Sequence, residues 1–556
     1  MPPHSQADSP AAVSADVTAS AAPIRVLAGL RITSACTLLS RVLGMVRDVA
    51  TASLFGLGSG GVMDAFAVAF RIPNAFRRLF GEGALSAAFL PVFASRLERE
   101  GPRAAWQLAS ALAVLLTAVL LVLVVLGEGV CWLAWRRWGD EGSVRLLLGL
   151  TAVMLPYVIF ICVAAQLMAM LHALGHFTMP ALAPVVLNVM WITAVCAVAP
   201  TVTSVAARQA YVLAWFVLSS GALQLAVLVP GLVRRGFRLE WAWARTRGDL
   251  VVIGRSMLPV ALGLGIVQLN TLADSFIAWG LTRPEQGPAV FDLLGRSISY
   301  PLEAGAAASI YFGERLYQFP LGIFGVALGT VLYPLLARHA AQENWDGIRR
   351  DVSMAMRLVL VIGLPASVGL VIVARPLTDL LFLRGAFTEH DAIRTARMIA
   401  CFGSGVWAYC ALQILVRGFY AIGDRTTPVK IGAGMVGLNL ALNLTLVWWI
   451  AEAGLGISTS VCAALQSGLM LWLLASRIEG LDWSGMGRVA WRSAAATGMM
   501  ALVCVGAIAV GPAGESTAIR AARVALPVLS GTLAYWVSCR FLGVDELRWI
   551  LGGRDQ

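Results

Sequence analysis

SRVLGMVRDVATASLFGLGSGGVMDAFAVAFRIPNAFRRLFGEGALSAAFLP, residues 40–91, is apolar enough to lie in a membrane, yet it carries Arg41, Arg47, Asp48, Asp64, Arg71, Arg77, Arg78 and Glu82. Charge at bilayer depth costs at least about 2–3 kcal/mol per residue, and is tolerated where it faces a bundle interior or a water-filled cavity. The stretch therefore predicts two membrane helices, over 32–56 and 62–96, that line a cationic cavity suited to an anionic head group. In the first helix, Ser40, Gly44 and Arg47 share one stripe, and Arg41, Gly44 and Asp48 an adjacent one. In the second, Asp64, Arg71 and Arg78 lie seven apart, roughly on one face. Pro73 has no N–H and frees the carbonyl of Ala69, which predicts a bend. Arg78 and Glu82 stand one turn apart and are expected to pair. Arg77 and Arg78 also admit a plainer reading, as an anchor snorkelling to lipid phosphate. That reading is weaker for Arg41 and Arg47, which sit well inside their helix.

The rest of the chain agrees with a membrane setting. Its 556 residues are 59% hydrophobic and 13% charged, against roughly 25% charged in a soluble domain. Uncharged runs such as 108–126 and 358–374 are long enough to cross a hydrocarbon core of about 30 Å. They do not alternate as barrel strands would. The fold class is all-α and polytopic, with about fourteen transmembrane helices. Further spans are expected near 106–134, 145–171, 179–199, 209–233, 250–280, 306–336, 352–374, 392–421, 428–450, 454–476, 488–511 and 519–541.

The net charge of +11 is almost all arginine, with Lys430 the single lysine. No basic soluble domain is present to hold nucleic acid, so none is expected as a partner. The nine cysteines are scattered singly through apolar runs and read as small packing residues. No CxxC or Cys/His spacing suggests a metal site. Residues 1–23, rich in Ala, Ser and Pro, read as a disordered tail. Arg234, Arg235, Arg238, Arg245 and Arg247 follow the sixth span, and the positive-inside rule assigns that loop to the cytoplasm. Counting spans in both directions then places both termini in the cytoplasm. The outer segment 282–306 is long and mixed in polarity, and a short interfacial helix is expected there.

An internal repeat organises these spans. Ala173–Pro180 and Ala421–Pro428 both read A-[LI]-G-x-x-T-x-P, with Asn188 and Asn439 further on. Gly83–Pro91 likewise resembles Val326–Pro334. The two offsets, 248 and 243, nearly agree and argue for duplication of a six-helix unit. An even helix count gives both copies the same orientation, so the pseudo-two-fold axis lies along the membrane normal, as in transporters with a central cavity and alternating access. The expected division is an N-lobe over 24–234, a C-lobe over 235–480, and two extra helices with the C-terminal tail over 481–556. In the second lobe Glu314 and Arg315 lie within an apolar span. Arginine suits phosphate because its planar fork donates two parallel hydrogen bonds and stays charged. Arg41, Arg47, Arg77 and Arg315 together suit a pyrophosphate, with Asp64 and Glu82 orienting them.

The motifs SRVLGMVRD (40–48), MDAFAVAFRIPNAFRRLFGEGALSAAFLPVF (63–93), MLPY (154–157), ALGHFTMPALAPVVLN (173–188), GERLYQFPLGIFGVALGTVLYP (313–334) and GDRTTPVKI (423–431) resemble the MurJ (MviN-like) lipid II flippases. These belong to the multidrug/oligosaccharidyl-lipid/polysaccharide exporter superfamily. The resemblance covers about 30–545 and implies a transporter, not an enzyme, of the bacterial cytoplasmic (inner) membrane. It implies export of an undecaprenyl-pyrophosphate-linked peptidoglycan precursor, head group first, from the inner to the outer leaflet, among membrane lipids and beside the cell-wall synthesis machinery. The family's substrate arginines match Arg41, Arg47, Arg77 and Arg315. Its acidic partners match Asp64, Glu82 and Glu314, and Ser40 matches a serine beside the head-group site. Arg78 joins this set by its place next to Arg77. No cofactor is implied beyond Na+ or the membrane potential as driving force. Some members bind sodium on helices 7 and 11, where this chain has Asp274, Asn439 and Asn443. Asn443 stands where those members have aspartate, and the favoured reading of Asn439 and Asn443 is hydrogen bonding between helices.

Besides a non-transporting scaffold, two rival readings remain. One is another exporter of the same superfamily, for a drug or a polysaccharide lipid; the arginine excess argues against a cationic drug. The other is a membrane glycosyltransferase using Asp379, Glu389 and Asp391, whose spacing matches no known site.

Overall fold

The computed structural model describes residues 35–139, 142–240, 242–284, 289–293 and 295–546. The expected tail over 1–23 lies outside them. The chain is helical almost throughout. Helix α1 covers residues 35–55. Helix α2 (Val62–Phe76) passes through a π-helical stretch, Arg77–Ala84, into α3 (Leu85–Arg99). There follow α4 (Pro102–Trp138), α5 (Gly142–Met154), α6 (Tyr157–Ala173), α7 (Thr178–Thr193), a π-helical stretch Ala194–Val198, α8 (Ala199–Val202), α9 (Ala206–Val233) and α10 (Trp243–Gly280). A hairpin, β1 (Val290–Leu293) and β2 (Arg296–Ser299), comes next. The second half holds α11 (Ala306–Pro320), the π-helical stretch Leu321–Val326, α12 (Ala327–Ala341), α13 (Trp345–Leu381), α14 (Glu389–Ser404), α15 (Val406–Ala421), α16 (Thr426–Ile450), α17 (Ala453–Arg477), α18 (Trp483–Ala509) and α19 (Thr517–Phe541).

The duplication read from two short motifs recurs as matching elements. α2 and α11 are each fifteen residues long. Each runs through a π-helical stretch into another helix of fifteen. The fourth and tenth spans are both interrupted midway, α5 from α6 at Leu155 and Pro156, and α14 from α15 by a 41° bend at Gly405. α2 continues through Pro73, and the irregularity comes four residues later as the π-helical stretch.

Eleven of the described helical segments are long and apolar enough to cross a membrane, and counting α14 with α15 as one span gives twelve. Length and composition alone thus stop short of fourteen. The two charged segments, α1 with Arg41, Arg47 and Asp48, and the run α2–α3 with Asp64, Arg71, Arg77, Arg78 and Glu82, lie outside that set. α4 turns Val122, Val125, Leu126, Val130 and Leu133 outward, the inverse of a soluble helix and suited to lipid contact.

The chain divides into two compact units. The first takes residues up to 50, Pro73–Arg137 and Gly149–Ala261; the second takes Thr51–Ile72, Trp138–Leu148 and Leu262 onward. In the first, α9 packs on α6 and α7, and α6 on α3. Trp191, Tyr157, Phe89 and Phe93 are fully buried. In the second, α13 is the hub, packed against α14, α15, α18 and α19. Leu336, Ile348, Val352, Ile414, Leu415, Phe419, Met470 and Leu474 form its main core. Val361, Ala496, Met500, Cys504, Tyr535 and Cys539 pin α18 and α19 to α13, where the Tyr535 hydroxyl donates to the Val361 carbonyl at 2.6 Å.

The segment 282–306 departs from expectation. Where an interfacial helix was expected, the described part is the β1–β2 hairpin, paired Val290↔Ser299, Phe291↔Ile298, Asp292↔Ser297 and Leu293↔Arg296. Gly295 turns with φ 77°, open to glycine and costly to others. Phe291 packs on Tyr300 at 4.9 Å and faces Trp448 at 6.5 Å. Alternation of Val290, Asp292 and Ser297 with Phe291 and Ile298 suits a pleat, with one apolar face, better than a helix.

Candidate functional site

Arg47 is the most firmly held of the expected arginines. It sits on α1 with only 8% of its surface exposed. Its Nε and Nη2 donate to Asp48 Oδ1 at 3.0 and 2.9 Å, and its Nη1 donates to Asn188 Oδ1 at 3.0 Å. The guanidinium carbon stands 4.8 Å from the centre of the Trp191 ring, a cation–π contact that strengthens away from water. Asn188 Nδ2 donates to the Ser40 carbonyl at 3.0 Å and reaches Ser40 Oγ at 3.4 Å. Ser40 and Arg47, placed on one stripe by helical periodicity, are thus tied to one asparagine of α7. Gly44 lies between them, where an added Cβ would come 3.9 Å from Asn188 Nδ2.

The other first-unit residues are less enclosed. Arg41 is exposed. Arg77 opens the π-helical stretch, half-buried, and donates from Nε to Asn74 Oδ1 at 3.0 Å. Arg78 follows it, also half-buried. The expected Arg78–Glu82 pair falls on the Glu82 side chain, which lies outside the described residues.

In the second unit Asp64 acts on backbone. Its Oδ2 accepts from Gly305 N–H at 2.6 Å and its Oδ1 from Ala308 N–H at 2.8 Å. These belong to the start of α11, whose first N–H groups have no partner within the helix. Gly305 adopts φ 94° there, and a Cβ on it would meet Leu57 at 2.7 Å. Glu314, on α11, binds Arg71: Arg71 Nη1 is 3.1 Å from Oε1 and 3.0 Å from Oε2. Arg315 lies half-buried, its guanidinium carbon 4.6 Å from the centre of the Tyr311 ring one turn earlier. Nearby, buried Arg394 donates from Nε to Glu452 at 2.6 Å and from Nη1 to the Ala304 carbonyl at 2.6 Å.

The structure brings Asp274, Asn439 and Asn443 together. Asn439 and Asn443 donate from Nδ2 to Asp274 Oδ1 at 2.9 and 2.6 Å. Asn439 Nδ2 also reaches Asn270 Oδ1 at 3.0 Å, and Ser458 Oγ donates to Asn443 Oδ1. All three residues are at most 5% exposed. A hard cation takes oxygen ligands. Here amide N–H groups already meet Asp274 Oδ1, while Oδ2 has only Asn270 Nδ2 at 3.4 Å. Asn439 Oδ1, buried and without a described partner, is an oxygen ready to be such a ligand. Among the described residues no group of three or more His, Cys, Asp or Glu is placed to hold a metal ion.

Sequence reasoning missed Asn188 and Trp191 as partners of Arg47, and Asn270 and Ser458 as partners of the Asp274 cluster. Asn188 and Asn439 did carry a signal. Each follows the repeated A-[LI]-G-x-x-T-x-P signature, and each meets a charged side chain of another helix in its own unit.

Outside the membrane-spanning segments, Asp424 sits between α15 and α16 in the GDRTTP motif. It accepts from the backbone and hydroxyl groups of Thr426 and Thr427 and pairs with Arg477 at 3.1 Å. Burial pushes its carboxyl up, but the Thr427 and Thr426 hydrogen bonds outweigh that and hold it at about 2. In the arginine-rich loop, Glu240 receives Gln107 Nε2 at 2.9 Å and Arg103 Nε at 3.3 Å.

A family model described as lipid II flippase MurJ matches residues 51–515. A probable lipid II flippase MurJ of Vibrio cholerae is 33% identical over 452 residues, covering 79% of this chain and 81% of that protein. A lipid II flippase MurJ of Burkholderia cenocepacia is 33% identical over 453 residues, covering 80% and 83%. Among solved structures, a lipid II flippase MurJ in an inward closed conformation superposes with TM-score 0.70 at 18% identity, over 93% of this chain and 99% of that one. An inward-facing multidrug transporter of the MATE family follows the same fold with TM-score 0.65 at 13% identity, over 81% and 98%.

Proposed function

The chain belongs to the lipid II flippase MurJ family, and on that footing we propose that it carries the lipid-linked peptidoglycan precursor from the inner to the outer leaflet of the bacterial cytoplasmic membrane. It is a multi-pass transporter and not an enzyme. The family match over 51–515 carries this reading. The fold is shared with multidrug transporters and does not by itself choose the cargo.

The residues proposed to serve the anionic head group are Ser40, Arg41, Arg47, Arg77 and Arg78 with Glu82 in the first unit, and Asp64, Glu314 and Arg315 in the second. A guanidinium that is buried yet pre-oriented, as Arg47 is by Asp48, Asn188 and Trp191, binds phosphate without first being ordered. Access alternates between the two faces of the membrane, and the ligand shifts that equilibrium only by its differential affinity for the two states. Both termini are cytoplasmic in this proposal, in line with the exposed Arg234 and Arg235 beyond α9. A link to the cell-wall synthesis machinery belongs to the same proposal.

The driving force is either Na+ at Asp274, Asn439 and Asn443 or the membrane potential acting on the cavity arginines. The purified protein in vesicles, with labelled lipid II followed by its accessibility from outside, tests both points. Flipping that needs the protein is expected; none would remove the reading. Stimulation by a sodium gradient, lost in Asp274→Asn, selects the ion, and stimulation by potential alone selects the field.

A further inference from the structure

Helical periodicity puts Arg71 on one face of the second helix with Asp64 and Arg78. In the structure Arg71 is 7% exposed. Its Nη1 rests on both oxygens of Glu314. Its Nε and Nη2 are buried and find no acceptor among the described residues. Those two nitrogens form one edge of the planar guanidinium, the fork that grips a carboxylate or phosphate through two parallel hydrogen bonds. Leaving such donors buried and unmet is costly and calls for an explanation.

The internal repeat supplies a second, independent pointer. Arg71 is the tenth residue of α2, and Arg315 is the tenth residue of α11. Both fifteen-residue helices run on into a π-helical stretch. Counted from the helix starts Arg71 stands level with Arg315, and by the 243-residue offset of the Gly83–Pro91 and Val326–Pro334 motifs level with Glu314, so it falls in the first copy where the Glu314–Arg315 pair falls in the second. Asp274 lies within electrostatic reach of both Arg71 and Glu314. Of these two acidic side chains only Glu314 is hydrogen-bonded to the guanidinium.

We propose that Arg71 is a further head-group contact, whose Nε/Nη2 edge takes two oxygens of an oxyanion on the transported lipid while Glu314 holds the opposite nitrogen. This rests on the flippase reading above. The oxyanion is either the pyrophosphate or a carboxylate of the attached peptide, since both present paired oxygens.

The test uses the full chain in detergent and measures binding of lipid II, undecaprenyl pyrophosphate and undecaprenol. Arg71→Lys keeps a charge against Glu314 and gives up the fork. Arg71→Gln with Glu314→Gln removes both partners together, so no lone charge is left buried, and it is read against Glu314→Gln alone because Glu314 is itself placed at the head group. Both variants are expected to bind lipid II about tenfold more weakly or worse, with undecaprenol binding unchanged. Equal weakening toward undecaprenyl pyrophosphate assigns the fork to phosphate; weakening toward lipid II alone assigns it to the peptide carboxylates. If Arg71 were merely the counter-charge of Glu314, Arg71→Lys would bind lipid II like the parent and the double variant like Glu314→Gln, and that result overturns the proposal. A parent chain that binds neither pyrophosphate lipid would instead overturn the flippase reading itself.

Discussion

Asn188 holds Arg47 across 141 residues of sequence: its Oδ1 accepts from Arg47 Nη1 at 3.0 Å while its Nδ2 donates to the Ser40 carbonyl at 3.0 Å. The amide therefore sets the direction of a buried guanidinium and ties it to its own helix. Asn188→Ala removes the acceptor of Arg47 Nη1 and the donor to the Ser40 carbonyl, and hydrogen bonds to charged groups are worth about 1.5–3 kcal/mol. Lipid II flipping in vesicles should fall by about tenfold or more while membrane insertion persists. A parent-like rate would show that the orientation of Arg47 does not matter to transport.

Asp64 fastens the start of α11 through Gly305 and Ala308. Asp64→Ala is expected to cost about 1–2 kcal/mol, the usual range for losing a helix cap. Hydrogen exchange at the first turn of α11 should speed up, and the melting temperature should fall. Unchanged exchange at Gly305 and Ala308 would contradict the cap.

The Arg394–Glu452 pair is buried and further bonded to the Ala304 carbonyl. Removing one member of such a pair costs about 3–5 kcal/mol, mostly from the charge left behind. Glu452→Ala should therefore be among the more damaging single changes in the second unit. Replacing both residues by apolar ones should recover much of the loss, as read by thermal melting in detergent.

Asp424 sets a pH dependence. Its carboxyl is held at about 2, below the ordinary 3.8. A depressed acid binds fewer protons folded than unfolded, so its contribution is complete above the unfolded value and is lost as pH falls through the folded one. Asp424→Asn should cost about 1 kcal/mol at neutral pH, allowing for the solvent-screened Arg477 partner. The gap to the parent should close between about pH 4 and pH 2. A gap independent of pH across that window would count against the role of the charge.

Much of this architecture could be read from the chain because membrane helices announce themselves by uninterrupted apolar length. The span from 206 to 233 was expected from 209, and that from 426 to 450 from 428. The duplication was legible in two short motifs because glycine and proline fix turns at set places. What stayed hidden depends on distance in space. No periodicity tells that Asn188 meets Arg47, or that Asp64 serves backbone N–H groups 241 and 244 residues away. The hairpin over 290–299 was missed because a mixed-polarity outer segment leaves strand and helix patterns nearly balanced over four residues. The π-helical stretches left no composition mark at all.

Those stretches govern what the second halves of two helices present. A π turn closes its bonds at i→i+5 instead of i→i+4, so each inserts a phase slip of about 100°, one residue's arc. Leu85–Arg99 and Ala327–Ala341 consequently show their neighbours a side that an unbroken α-helix would have rotated away. Trimming a single residue from Arg77–Ala84 or Leu321–Val326 would rewind that slip and swing a whole fifteen-residue rod, where a point substitution disturbs one contact. Chain length in these two windows, more than the identity of any residue inside them, is the quantity that such a membrane machine must keep constant.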